Sequence, residues 1–488
     1  MRVLFVTSEC YPLVKTGGLA DVAGALPLAL ADDGVDARVL LPAYPGVRDQ
    51  LQGARRVATL PDVFGGPAGL VHGTTVDGLH VWLLDAPHLF ARKGGGPYTG
   101  PDGRDWPDNH VRFAALSWVG AHVATQGVGR WKPHVVHLHD WQSALTAAYL
   151  RFGPQPAPPS LLTIHNLAFQ GVFGLDIAAQ LRLPPAATHD DGMEYWGNLS
   201  FLKAGVLWST RLNTVSPTYA REILGNEQGM GLDGLLRTRA HELSGIVNGI
   251  DDTVWDPATD PHIAHHYSVH KLPAKAANKT ALQHELGLHV RPDAPLVCVI
   301  SRLSWQKGLD LLLGALPRLL AAGGQLALLG SGDRDLEAGF RHAAVSHPGR
   351  VAAVVGYDEP LAHRLQAGSD AVLMPSRFEP CGLSQLYGLR YGTLPVVARV
   401  GGLADTVIDA NEAALRDGVA TGFQFSPVDT DSLAVALERV CDLYPDRTAW
   451  QRVQRRAMSR DVGWATAARS YVALYHRLGG EAAASTSR

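Results

Sequence analysis

The chain has 488 residues, with 43 Lys and Arg against 46 Asp and Glu, a formal net charge of −3. Hydrophobic residues make up 46% and charged residues 18%, which excludes a disordered chain and supplies cores for two or three domains. The near-neutral balance excludes a surface built for nucleic acid. Cys10, Cys298, Cys381 and Cys441 form no paired spacing, which speaks against a disulfide framework or zinc ribbon and fits a reducing compartment. The opening MRVLFVTSE has too short an apolar run for a signal peptide. Residues 113–129 lack charge but contain Ser117, His122 and Gln126, a packed helix rather than a membrane span. A cytoplasmic protein that avoids membranes is expected.

Short apolar runs alternate with helix-period segments along the chain. Val3–Val6, Ala37–Leu41, Val135–Leu138, Leu161–Ile164, Leu212–Val215 and Gly245–Val247 predict strands in the first half, with helices at Leu19–Leu30, Gln142–Leu150 and Pro217–Leu224. The second half repeats the rhythm at Val297–Ile300, Leu326–Leu329, Val351–Val355, Ala371–Met374 and Pro395–Ala398. Continuous apolar strands between helices predict two parallel sheets in series, each covered on both faces. The proline-rich stretch 251–295 reads as a linker. The expected plan is a first domain over 1–250, that linker, and a second domain over 296–460. A terminal helix over 461–478 and a disordered tail over 479–488 complete it.

Three strand-to-helix loops hold chemistry-bearing residues. Lys15-Thr16-Gly17-Gly18-Leu19-Ala20-Asp21 follows the first strand, and its glycines open a helix N-terminus where unpaired N–H groups favour an anion. An ordinary glycine turn with a surface lysine has the same pattern. Arg302 and Lys307 follow the first strand of the second half, where α/β sheets bind ligands, and two cations there suit a diphosphate. In Pro375-Ser376-Arg377-Phe378-Glu379-Pro380-Cys381-Gly382-Leu383, Pro380 holds Glu379 extended and projects its carboxylate. GGLAD at 17–21 recurs at 401–405, so each half has a glycine-lined helix start. His137-Leu138-His139-Asp140 has a metal-ligand look, but no third ligand cluster accompanies it. Asp333-Arg334-Asp335 reads as a charged helix start.

KTGGLADV at 15–22, HLHDWQSAL at 137–145, TIHNLAFQG at 163–171, VNGID at 247–251, SRLSWQKGLDLL at 301–312 and PSRFEPCGLSQLYGLRYGTLP at 375–395 together resemble bacterial glycogen synthases. The blocks occur in the family's order from residue 2 to about 478. The resemblance implies a glycosyltransferase-B fold, two Rossmann-like α/β domains with parallel sheets facing across a cleft, the last helix crossing back to the first domain. It implies glucose transfer from ADP-glucose to the non-reducing end of an α-1,4-glucan with retention, needing neither metal nor pyridoxal phosphate, and it leaves oligomeric state open.

By position, the resemblance implies that Glu379, Asp140, His165 and Lys15 carry the chemistry. Lys15 and Gly18 would meet the donor from the first domain, and Arg302 and Lys307 would hold its diphosphate. Cys381, Gly382 and Leu383 would cap it with backbone groups, and Glu379 would bind the glucose hydroxyls. Asp140, His165, Asn166 and Asn248 match sugar-side positions, Gly356 and Tyr357 the adenine rest, and Asp21 and Tyr98 the acceptor side. Where many retaining enzymes of this fold carry a second Glu, this chain has Tyr387, so Tyr387 or Gln385 is left to fill that space. A UDP-glucose enzyme, a phosphorylase with its cofactor on Lys203 or Lys307, and a non-catalytic glucan binder are the alternatives. A front-face reaction and a transient covalent adduct both fit.

Overall fold

Runs such as Val-Leu-Phe-Val have no polar face to offer water, so they form stable strands only inside a sheet covered on both sides. In the computed structural model, which describes residues 1–486, the four side chains of Val3–Val6 are fully buried. The chain divides into two compact units, residues 1–248 together with the stretch from Trp464 onward, and Gly249–Gly463.

The strands of the first unit are β1 (Arg2–Val6), β2 (Asp36–Pro42), β3 (Gln52–Leu60), β4 (Ala68–Thr74), β5 (His80–Asp85), β6 (Val135–His139) and β7 (Ser160–Ile164), followed by the short β8 (Val172–Gly174), β9 (Glu194–Tyr195) and β10 (Asn198–Ser200), then β11 (Arg211–Thr214) and β12 (Leu243–Gly245). Nine of them form one sheet in the order β12-β11-β7-β6-β1-β2-β5-β4-β3, and β8, β10 and β9 form a small separate sheet. β1 pairs in parallel with both β2 and β6. Within the large sheet β4 runs against its neighbours, pairing antiparallel with β3 and β5. This arm and the small sheet were not expected from the sequence, and the last strand lies at 243–245 instead of 245–247.

The helix Trp464–Thr486 packs onto this unit, with Tyr471, Leu474, Tyr475 and Leu478 fully buried. Each such apolar side chain contributes about 1.5–3 kcal/mol. Two hydroxyls give the contact its register. Tyr475 Oη lies 2.8 Å from His137 Nδ1, and Asn213 Nδ2 donates to Tyr471 Oη at 3.1 Å. The tail expected to be disordered from 479 continues this helix through Thr486, while 487 and 488 lie outside the described residues.

The second unit is one parallel sheet of β13 (Leu296–Ile300), β14 (Gln325–Gly330), β15 (Val351–Val355), β16 (Ala371–Met374), β17 (Leu394–Ala398) and β18 (Phe423–Phe425). Their order is β15-β14-β13-β16-β17-β18, the doubly wound arrangement in which the sheet grows outward in both directions from its first strand. The proline-rich stretch 251–295 is part of this unit rather than a linker. Trp255 stacks on His363 and Tyr387 with ring centroids 3.7 and 3.8 Å away. Asp260 accepts from Tyr391 at 2.6 Å and faces His363 Nδ1 at 2.8 Å. Lys279 pairs with Asp370 at 2.7 Å, both buried. Pro257, Pro261 and Pro292 sit in turns and Pro273 in a short 3-10 helix, and long-range polar contacts invisible to local pattern tie the segment down.

Tyr475→Phe should leave His137 Nδ1 without its partner in a dry core, costing about 1–3 kcal/mol. The melting temperature should fall by several degrees with the far-UV circular dichroism unchanged. An unaltered melting temperature would show that the hydroxyl does not anchor the helix.

Candidate active site

A doubly wound sheet leaves a gap at the carboxyl edge where connections from two neighbouring strands depart to opposite faces. In the first unit that point lies between β1 and β6, and in the second between β13 and β16. The loops leaving these four strands hold Lys15, Asp140, Arg302 with Lys307, and Glu379.

In the first unit the loop after β1 is organised by a residue that sequence reasoning missed. Glu9 is 3% exposed. Its carboxylate accepts from the Thr16 and Gly17 N–H groups, the Thr16 hydroxyl and the Tyr98 hydroxyl. Tyr98 also meets Ser8 Oγ at 2.8 Å, so the Tyr98 hydroxyl braces the loop from below. A buried carboxylate with several donors is stable where an unpaired one would not be. The helix Gly18–Ala31 starts without a side-chain cap. Lys15 and Asp21 form an ion pair at 2.8 Å, both half-exposed.

Asp140 begins the helix after β6 in the left-handed region, at φ 56, which Asp and Asn tolerate better than other side chains. Its Oδ1 accepts the His165 N–H at 2.6 Å, and the Asn166 N–H also bonds to it. Burial pushes the Asp140 carboxyl up to about 7, against those amides, and the charge of Glu9 pushes the same way. His165 Nε2 lies 3.0 Å from His139 Nδ1, and burial pulls His165 down to about 3. Asn166 Oδ1 takes the Ala168 N–H at 3.0 Å. Asn248 is buried with an unpartnered Oδ1, an acceptor held in readiness for a donor.

In the second unit, Lys307 Nζ and Ser376 Oγ both donate to Glu379 Oε2, at 2.6 and 2.9 Å. Two glycines permit this. Gly308 has φ 66, and a Cβ there would lie 2.0 Å from the Pro375 carbonyl, so the Arg302–Lys307 loop presses directly on the loop carrying Glu379. Gly402 would place a Cβ 2.3 Å from the Cys381 carbonyl, and its N–H donates to the Glu379 carbonyl at 3.0 Å. Arg302 is exposed at the same edge. Cys381 is buried, and Gly382 has φ 78. Gly356 and Tyr357 follow β15, with Tyr357 79% exposed.

The geometry adds detail to several expectations. Gln385 is held by its Nε2, which donates to the Cys381 and Gly382 carbonyls at 3.0 Å, while its Oε1 is buried without a partner. Tyr387 has its ring stacked on Trp255. Both GGLAD segments open helices, Gly18–Ala31 after β1 and Gly401–Thr406 after β17. His137 has both ring nitrogens engaged, by Tyr475 and by Thr163 at 2.7 Å. No group of three or more His, Cys, Asp or Glu among the described residues is placed to hold a metal ion. Asp333 caps its helix, accepting from Asp335 N–H at 2.9 Å. No helix among the described residues is long and apolar enough to cross a membrane.

A family model described as the starch synthase catalytic domain matches residues 2–238, and one described as glycosyl transferases group 1 matches 287–456. A glycogen synthase of Roseobacter denitrificans is 56% identical over 478 residues, spanning 98% of this chain and 99% of the relative. The chain belongs to the glycogen synthase family. A glycogen synthase of Mesorhizobium japonicum is 52% identical over 98% of this chain and 99% of its own length. The catalytic domain of starch synthase IV from Arabidopsis thaliana, solved with ADP and acarbose, shares 32% identity at a TM-score of 0.89. The match covers 98% of this chain and 99% of that one. A sucrose-phosphate synthase of Thermosynechococcus elongatus, 17% identical with TM-score 0.60 over 98% and 99% of the two chains, shares the fold alone. The protein is a glycosyltransferase of glycogen synthesis with the α/β glycosyltransferase-B architecture.

The Asp140 carboxyl keeps its proton up to about 7 in the folded state but only to about 4 when unfolded. The folded state therefore binds more protons in that window, and this group's contribution to stability falls as pH rises through it. Asp140→Asn, which cannot ionise, should gain on the parent between about pH 4 and about pH 8 in urea midpoint. A difference that stays constant would show that the two amides keep the carboxylate ionised throughout.

Proposed function

We propose that the protein transfers glucose from ADP-glucose to the non-reducing end of an α-1,4-glucan, retaining the α configuration. The observation that carries this reading is Glu379, a buried carboxylate fixed by Lys307 and Ser376 at the switch point of the second unit, in a chain of this family. Breaking the sugar–phosphate bond builds positive charge at C1 and negative charge on the departing diphosphate. Preorganised charges at both ends lower that barrier more than they bind the ground state.

In this reading Arg302 holds the diphosphate with its planar fork, and Lys307 divides its charge between that group and Glu379. The Gly382 and Leu383 backbone beside Cys381 caps the phosphate, and Glu379 bonds the glucose hydroxyls. Gly356 leaves room for adenine against Tyr357. In the first unit, Lys15 and Gly18 meet the donor, and Asp140, His165, Asn166 and Asn248 face sugar oxygens. Asp21 and Tyr98 border the acceptor side, with Tyr98 acting through Glu9. Asp140 already accepts two backbone N–H bonds, that of His165 on Oδ1 at 2.6 Å, and burial pushes its carboxyl up to about 7, which makes it a poor nucleophile. That favours the front-face route. The C1–phosphate bond breaks, the acceptor O4 bonds to C1 on the same face, and its proton passes to the leaving phosphate oxygen. The reaction needs no metal or pyridoxal phosphate, and the four buried free thiols suit the cytoplasm.

Glu379→Ala should lower kcat at least about 10²-fold with a modest change in the ADP-glucose KM, since its bonds to the ring strengthen as charge develops. Arg302→Ala should raise the ADP-glucose KM, and the parent should prefer ADP-glucose to UDP-glucose with glycogen as acceptor. More than half the activity left in Glu379→Ala would make that residue structural. Equal turnover of both donors would move the protein out of the ADP-glucose class.

A further inference from the structure

His139 ends β6, and its Nδ1 lies 3.0 Å from Nε2 of His165, which follows β7. Burial keeps both rings neutral, so each carries one N–H and a single proton occupies the contact. The other nitrogen of His139 decides which ring supplies it. Nε2 of His139 is buried with no hydrogen-bond partner, and Phe5 is stacked on the ring with centroids 5.2 Å apart at 22°. A proton there would strand an N–H in an apolar setting, the arrangement folded proteins avoid most strictly. A bare lone pair is the lesser cost. His139 therefore carries its proton on Nδ1 and donates it to His165 Nε2, which leaves the His165 proton on Nδ1, the nitrogen outside the contact. The backbone of His165 is tied separately, its N–H held by Asp140. His139 is itself anchored, its N–H donating to Ser143 Oγ at 2.6 Å.

We propose that His139 is a positioning residue that locks His165 in its Nδ1–H tautomer, so that His165 offers the sugar a hydrogen-bond donor rather than an acceptor. The proposal rests on the sugar-side reading of His165 and names what that residue presents. A reversed tautomer would present only a lone pair, so a sugar oxygen whose own proton is donated elsewhere would lose its donor, with the penalty that follows an unpaired polar contact.

The test is a two-bond ¹H–¹⁵N correlation on the free full-length chain labelled at histidine, with His165→Gln assigning the His165 signals. The expected spectrum shows His165 protonated at Nδ1 with Nε2 an acceptor, and His139→Leu should convert it to a mixture of tautomers. In parallel, kcat/KM for ADP-glucose should fall about 10–100-fold in His139→Leu, the usual cost of losing an orienting partner. His139→Asn, whose amide can place an N–H near the lost Nδ1, should restore most of it. A parent spectrum with His165 protonated at Nε2, or equal losses in the Leu and Asn variants, would overturn the proposal. Because the spectrum is read without substrate, a failure of ADP-glucose transfer in the parent would be distinguishable from a failure of the tautomer assignment.

Discussion

Parallel strands joined by right-handed crossovers must send their connections to opposite faces once the sheet grows both ways from its first strand. That constraint leaves a gap at the carboxyl edge, and it occurs in each unit, at β1/β6 and β13/β16. Most of the candidate site lies at these gaps. The apolar strands set the sheet, and the loops and helix starts that follow them carry Lys15, Asp21, Asp140, Arg302, Lys307 and Glu379.

Furnishing such a gap with charge is costly unless each group is matched. The chain solves this differently in the two units. In the first, Glu9 collects backbone amides and two hydroxyls, and Asp140 collects two amides. Both acids stiffen loops instead of pairing with a cation. In the second, the carboxylate of Glu379 is matched by the lysine and serine of two loops brought together by glycine. The first arrangement fixes backbone direction, and the second neutralises a buried carboxylate with a cation and a hydroxyl. The partly exposed Lys15–Asp21 pair is of the second kind and is screened by water.

Much of this was legible in the sequence because it is local. Apolar runs such as Val3–Val6 and Val297–Ile300 mark buried parallel strands, and Lys15, Arg302 and Glu379 stand in loops whose glycines and prolines announce them. What escaped was long-range. Glu9 is a lone acid in the loop after β1, and its burial depends on Tyr98, far along the chain, as well as on the Thr16 and Gly17 amides that no local motif marks. The stretch 251–295 looked like a linker because its prolines interrupt helical pattern, while the contacts of Trp255, Asp260 and Lys279 join residues about a hundred positions apart. In the β3–β4–β5 arm, β3 is largely exposed and polar, and β4 is broken by glycine and histidine, so neither offers a continuous apolar run to read. Sequence shows the chemistry of Tyr387 and Gln385 but not what they already hold, the Trp255 ring and two backbone carbonyls.

The account stands or falls on the chemistry at these paired gaps. The decisive measurement is proton NMR of the product formed from ADP-glucose labelled with ¹³C at glucose C1 and a short maltooligosaccharide, together with the amount of ADP released. The account predicts one ADP released for each new label in an α-1,4 linkage at the non-reducing end. A β-linked product, or ADP release accompanied only by free glucose, would contradict it.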